Sequence, residues 1–272
     1  MSKVSRSVLP FTPSPVERPL VDSVLLLGVR VDCLERTLLT RSLLEFYREG
    51  KRGWISYLNV HAINLAQKNE KLCAYLNKSL LTYCDGQGLR LGASMLGKNI
   101  PMRIVMSDWI YDVSLLCESN NLRLYLLGST DSVRRKTVVA LQALFPQLQI
   151  VGSHHGYFAH AKSDDVVRDI NASRPDVLIV GMGMPLQEEW IENHFANLNV
   201  NIILNAGSCF DFVSGEKRRC PQWMGTIGLE WMHRLFQEPR RLWRRYLLGN
   251  PLFLWRVLRI GWNETIKRGS RA

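Results

Sequence analysis

The chain has 272 residues, 46% of them hydrophobic, which is long and apolar enough for one large α/β domain with or without an appendage and excludes global disorder. Its net charge of +11 is concentrated at one end. From residue 217 onward 13 Lys or Arg stand against 3 Glu and no Asp, and five of the eight Trp (Trp223, Trp231, Trp243, Trp255, Trp262) share that segment. Six scattered Cys, with no Cys-x-x-Cys pair and no His at metal spacing, favour reduced thiols over a zinc site or a disulfide frame. A signal-peptide pattern is absent, and no uncharged apolar run reaches the roughly 18–20 residues that a membrane-crossing helix needs. These features predict a cytoplasmic chain, peripheral on the inner face of the cell membrane.

Residues 1–22, with Pro10, Pro13, Pro15 and Pro19, predict a flexible leader. A first strand is expected over 24–31, a helix over 36–47 and a second strand over 54–58, followed by Asn59 and a helical stretch through 76. A short strand over 80–84 runs into Asp85-Gly86-Gln87-Gly88, then a helix over 89–96 and a loop with Pro101 and Arg103. Ser107 or Asp108 is expected to cap a helix to about 117, and a strand over 122–127 ends in Gly128. Asp131 is expected to cap a helix to 145, followed by a strand over 148–151, a loop over 152–158 and a helix over 166–172.

The most informative stretch is Asp176 to His194. Val177 to Val180 is apolar without alternation, the pattern of a parallel strand buried on both faces. Gly181 and Gly183 then permit a tight turn, Pro185 suits a first helical turn, and Glu188 and Glu189 suit its positive end. Free backbone N–H groups at such a junction are a ready anion site. A last strand over 202–204 leads into Asn205-Ala206-Gly207-Ser208. Alternating strands and helices predict a Rossmann-like α/β fold, a mostly parallel sheet covered by helices, with ligands beyond the carboxyl ends of its strands.

Asp-x-Asp, Gly-x-Gly-x-x-Gly, Gly-x-x-x-x-Gly-Lys and Gly-x-Ser-x-Gly are all absent, which disfavours metal-clamping, dinucleotide, P-loop and hydrolase readings. Asp85 fits either a turn former or a general base at a strand end. Asn59 fits either a helix cap or a site residue. In the tail, Arg240, Arg241, Arg244 and Arg245 fall on one helical face beside Trp243, Tyr246 and Leu247. Gly249-Asn250-Pro251 is expected to break that helix, after which Leu252, Trp255, Leu258 and Trp262 continue an apolar stripe. Arginine interleaved with Trp and Leu suits an anionic membrane surface better than a nucleic-acid groove.

Taken in order, several motifs resemble the bacterial WecG/TagA/CpsF glycosyltransferases. They are Asn59, Asp85-Gly86-x-Gly88, Arg103 with Asp108, Leu127-Gly128, Gly156-Tyr157-Phe158, Val180-Gly181-x-Gly183-x-Pro185-x-Gln187-Glu188, Gly207 with Phe210-Asp211, Arg219-x-Pro221, and Gly228-Leu229-Glu230-Trp231 through Arg234, Pro239 and Arg241. The resemblance implies an inverting, metal-independent transfer from a UDP-sugar to a polyprenyl-diphosphate-linked sugar, without a cofactor. It implies Asp85 as catalytic base, with Asn59, Arg103 and Gln187 in the active site. It places Tyr157, Gly207 and Asp211 near the nucleotide, where the anion site at the Gly181 and Gly183 turn would also serve, and Arg234, Arg241 and Arg244 at the leaving diphosphate or the membrane. The chain departs from the family at Tyr57, where Thr is frequent, and at Asn205-Ala206-Gly207-Ser208, where the family carries Gly-x-Gly-Gly. The expected organisation is a leader over 1–22, a catalytic core over 23–215 and a basic, membrane-associating helical appendage over 216–272. A nucleotide-sugar enzyme with a soluble substrate and a nucleic-acid-binding protein are the alternatives, and homo-oligomerisation stays open.

Overall fold

The computed structural model describes residues 21–269; apart from Val21 and Asp22, the predicted leader lies outside them. The chain enters through β1 (Ser23–Leu26) and β2 (Val29–Asp32), an antiparallel hairpin where a single strand over 24–31 is expected. Leu27 and Gly28 both have positive φ, 50° and 80°, the two-residue turn that folds a ribbon back on itself. There follow α1 (Arg36–Arg48), β3 (Gly53–Leu58), α2 (Val60–Ala66), α3 (Glu70–Lys78), β4 (Leu81–Cys84), α4 (Gln87–Met95), α5 (Met106–Ser119), β5 (Leu124–Gly128) and α6 (Asp131–Leu144). Then come β6 (Ile150–His154), α7 (Ser163–Ser173), β7 (Val177–Gly181), α8 (Leu186–His194), β8 (Ile202–Asn205), α9 (Cys209–Val213), α10 (Gln222–Thr226), α11 (Glu230–Gln237), α12 (Pro239–Trp243) and α13 (Gly249–Gly269).

Local chemistry explains where the expected boundaries moved. The helical stretch through 76 is two helices, because Asn69 accepts a hydrogen bond from Leu72 N–H at 3.1 Å and starts α3 afresh. The cap of α6 is Thr130, which accepts from Val133 N–H, while Asp131 sits one position inside and pairs with Arg134 and Arg135. Helix α5 begins at Met106 without a side-chain cap, so Ser107 and Asp108 lie within it. The expected loop over 152–158 starts as strand, since β6 pairs with β5 through His154. Gly249-Asn250-Pro251 does not break the tail. A π turn over Arg244–Leu248 joins α12 to α13, and Pro251 falls in the first turn of α13, where a missing N–H costs little.

Strands β3 to β8 form one parallel sheet in the order β4-β3-β8-β7-β5-β6. Alternate side chains of a strand serve opposite faces. Leu178 and Val180 pack on the side of α2, α3, α7 and α8, whereas Val177 and Ile179 pack on the side of α1, α5, α6 and α9. Burial on both faces is what the unbroken apolar runs require. Helix α13 closes over α2 and α4. Phe253 and Val257, 1% and 0% exposed, belong to that core, and each such side chain contributes about 1.5–3 kcal/mol of burial. Gly92 makes the seat: a Cβ there would lie 2.4 Å from the Phe253 ring.

Candidate active site

Because the strands are parallel, their carboxyl ends share one edge. Leu58 pairs with Cys84, so Asn59 and Asp85 emerge side by side from β3 and β4, and Asp85 N–H donates to Leu58 O at 2.8 Å. Gly128 and Gly181 end β5 and β7, and Gly207 follows β8, on that edge, near the order reversal where open α/β sheets bind ligands. Ile104 N–H donates to Cys84 O at 2.8 Å, which brings the loop carrying Arg103 beside Asp85.

Two cavities meet at this edge. The larger, about 580 Å³, is walled by apolar side chains including Leu91, Ile227, Trp231, Phe253 and Leu254. The smaller, about 270 Å³, is polar and lined by Tyr57, Ser107, Gly183, Gly207, Ser208 and Arg241. Asn59, His61, Asp85, Glu230, Arg234 and Arg245 line both. Asp85 therefore stands where the contents of one cavity would touch those of the other.

The electrostatics are built by the tail. Arg103 Nη2 donates to Glu230 Oε2 at 2.5 Å, joining the core loop to α11. Arg234 Nη2 donates to Ser208 Oγ at 3.0 Å and its guanidinium lies over the Phe212 ring. Burial, then the Glu230 charge, push the Asp85 carboxyl up to about 6, against Arg103, Arg234 and Arg245, which pull it down. Burial, then Arg245 and Arg241, push His61 down to about 4, so its imidazole is neutral near pH 7.

The expected residues divide by position. Asp85, Asn59, Arg103, Gly183, Gly207, Arg234 and Arg241 line one cavity or both. Asn59 is at the same time the cap of α2, accepting from Ala62 N–H at 3.0 Å. Gly181 lies beneath them against Phe210 and the Gly207 carbonyl. Gln187 is fully buried and lines neither cavity. Its Oε1 accepts from Gly183 N–H at 3.2 Å and Gly207 N–H at 2.9 Å, so the Gly183 amide, in the turn expected to offer free N–H groups to an anion, faces inward. Asp211 lies outside both cavities, accepting from Ser129 Oγ at 2.9 Å and pairing with Lys217 at 2.6 Å. Tyr157 is 75% exposed and lines neither. Arg244 is exposed over the Trp243 ring, and Arg245 takes the inward position.

Sequence reading did not single out His61, Glu230 or Arg245 as lining the site. For Arg245 the one signal is its place on the basic face shared with Arg240, Arg241 and Arg244, which does not separate it from Arg244. For Glu230 and His61 no local pattern distinguishes a lining residue from a solvated one.

On this parallel sheet a carboxylate between two cavities, with arginines around it, offers a proton acceptor beside a positive field suited to an anionic group. The model described as "Glycosyl transferase WecG/TagA/CpsF family" matches residues 24–267, and the chain belongs to this family: it is a glycosyltransferase of the hexosyltransferase type. Among similar proteins is the N-acetylglucosaminyldiphosphoundecaprenol N-acetyl-beta-D-mannosaminyltransferase of Staphylococcus aureus strain MW2, 26% identical over 243 residues, 89% of this chain and 94% of the relative. Relatives of the same name from strains MRSA252 and N315 show the same identity and coverage.

Proposed function

We propose that the chain moves a sugar from a UDP-sugar to a sugar carried on a polyprenyl diphosphate, with inversion and without a metal ion, in the assembly of a cell-surface glycopolymer. The observation that carries this reading is Asp85 at the meeting point of a polar and an apolar cavity. The polar cavity suits the nucleotide diphosphate and the apolar one suits the acceptor's sugar with the start of its lipid. The relatives' name supplies the acceptor chemistry, a diphosphoundecaprenol-linked N-acetylglucosamine, and an N-acetyl-beta-D-mannosaminyl group as transferred sugar.

The acceptor hydroxyl reaches the anomeric carbon from the apolar side while Asp85, as carboxylate, takes its proton. The C–O bond to UDP breaks on the opposite side, and one displacement inverts the anomeric centre. Arg234, Arg241 and Arg245, which line the polar cavity, supply the positive field that the departing diphosphate needs. Asn59 and neutral His61 offer hydrogen bonds to sugar hydroxyls.

The lipid-linked acceptor also fits the outer face of the tail. Trp223, Ile227, Phe236, Trp243, Leu247, Trp255, Leu258 and Trp262 are exposed there, with Arg240, Arg241, Arg244 and Arg259 among them. Among the described residues no helix is long and apolar enough to cross a membrane. We read this face as the seat on an anionic bilayer, on the inner side of the cell membrane.

The direct test incubates the full chain with a short-chain polyprenyl-diphosphate N-acetylglucosamine and a panel of UDP-sugars, in excess EDTA, with mass spectrometry as readout. The expected product carries one added sugar. No transfer from any UDP-sugar, with or without added metal, overturns the reading; transfer only after Mg or Mn ions are restored overturns its metal-free part.

A further inference from the structure

Beneath the site lies a buried polar chain that the reaction above does not use. Gln187 and Glu188 open α8 and are 0% and 1% exposed, in a layer otherwise built from apolar strands. Through one oxygen Gln187 holds the N–H groups of Gly183 and Gly207, which belong to turns after different strands and both line the polar cavity. Both glycines have positive φ, 84° and 55°. The other end of the Gln187 amide donates to Glu188 Oε1 at 2.7 Å and reaches the Tyr57 hydroxyl at 3.4 Å. Glu188 Oε1 also accepts from Asn205 Nδ2 at 2.9 Å, and Asn205 Oδ1 accepts from the Tyr75 hydroxyl at 2.9 Å.

We infer that Gln187 and Glu188 are positioning residues: Gln187 pins the β7 and β8 glycine turns to each other, Glu188 pins Gln187, and the pair sets the width of the cavity that receives the nucleotide sugar. The inference rests on the reading of the polar cavity as the donor site. A buried carboxylate and amide are costly to desolvate, and apolar residues of similar volume fill such space at no loss of stability in many proteins. What an apolar pair cannot do is bind two N–H groups of separate turns with one oxygen. Gln187 cannot touch the substrate, because the two turns it holds stand between it and the cavity. Tyr57 completes the floor: a Cβ at Gly207 would lie 2.6 Å from its hydroxyl, so the turn is fixed from below by Gln187 and limited at the side by Tyr57.

The test compares Gln187→Leu with the exchanged double variant Gln187→Glu/Glu188→Gln, which keeps an oxygen under the two glycines and an amide donor beside it. UDP affinity is read by calorimetry, and the kinetics separate donor KM, acceptor KM and kcat. In Gln187→Leu the UDP Kd and the donor KM are expected to rise about tenfold or more at near wild-type acceptor KM, and the exchanged variant should return to within about threefold. If the Leu variant does not fold, Gln187→Asn, one methylene short of both turns, gives the same measurement. Unchanged UDP affinity in a wild type that binds UDP overturns the inference alone. Equal losses for donor and acceptor, a fall in kcat at unchanged donor KM, or a folded exchanged variant without recovery also overturn it. A wild type that binds no UDP overturns the donor-site reading, and the inference with it.

Discussion

Glu188 gives a prediction whose size follows from its surroundings. Burial pushes its carboxyl from the ordinary 4.5 up to about 7, and the hydrogen bonds from Gln187 and Asn205 hold the rise to that value. A raised folded pKa means that the folded state favours the proton. The associated stability is fully present below pH 4.5 and is lost as pH rises through about 7. Linkage between those two values gives a loss of about 2–3 kcal/mol between pH 5 and pH 8. Glu188→Gln keeps the shape and an acceptor oxygen for Asn205 but cannot ionise. Urea denaturation of wild type and variant at both pH values isolates this one group, because every other titration is common to the two proteins. Relative to wild type, the variant should be about 2–3 kcal/mol better off at pH 8 than at pH 5. A stability difference that is flat across this range would show that the carboxyl titrates normally, and the account of its burial would be wrong.

Asp85→Asn should retain UDP affinity and a wild-type melting curve while turnover falls by about 10²–10⁴, the usual worth of a positioned base. Since the base must be ionised and its carboxyl sits at about 6, wild-type kcat/KM should climb with pH up to that value and then level off; turnover by the Asn variant close to wild type removes Asp85 from the base role. For the tail, Trp243→Ser/Trp255→Ser/Trp262→Ser alters only side chains that are 41%, 55% and 71% exposed, so the fold should hold while flotation with anionic vesicles weakens. Undiminished flotation places the bilayer contact elsewhere, and tight duplex binding at matched salt would favour the nucleic-acid reading of the basic segment.

Much of this molecule was legible from local chemistry. Val177 to Val180, two glycines and Pro185 specify strand, turn and helix within a dozen residues, since periodicity and backbone freedom act over that range. The resemblance extended this to a family, and Asp85, Asn59 and Arg103 stand together at the sheet edge. The expected boundaries moved where two local rules competed: Leu27-Gly28 turned an expected strand into a hairpin, and Pro251 fell in the first turn of α13 in place of ending a helix.

Side-chain direction was decided elsewhere. Asn59 and Asp85 are neighbours because β3 pairs with β4 in one register, and Arg103 meets Glu230 across 127 positions of sequence. Gln187 reads as an ordinary residue of a first helical turn, yet packing of α8 on the sheet points it at two glycine amides. Arg245 and Arg244 are adjacent and chemically alike, and only the docking of α13 on α2 and α4 sends one into the site and the other to its surface. Composition and periodicity determine which residues form elements, because those preferences are summed over a few neighbours. Which side chains share a cavity depends on strand order and helix docking, set by contacts between segments that are distant in the chain.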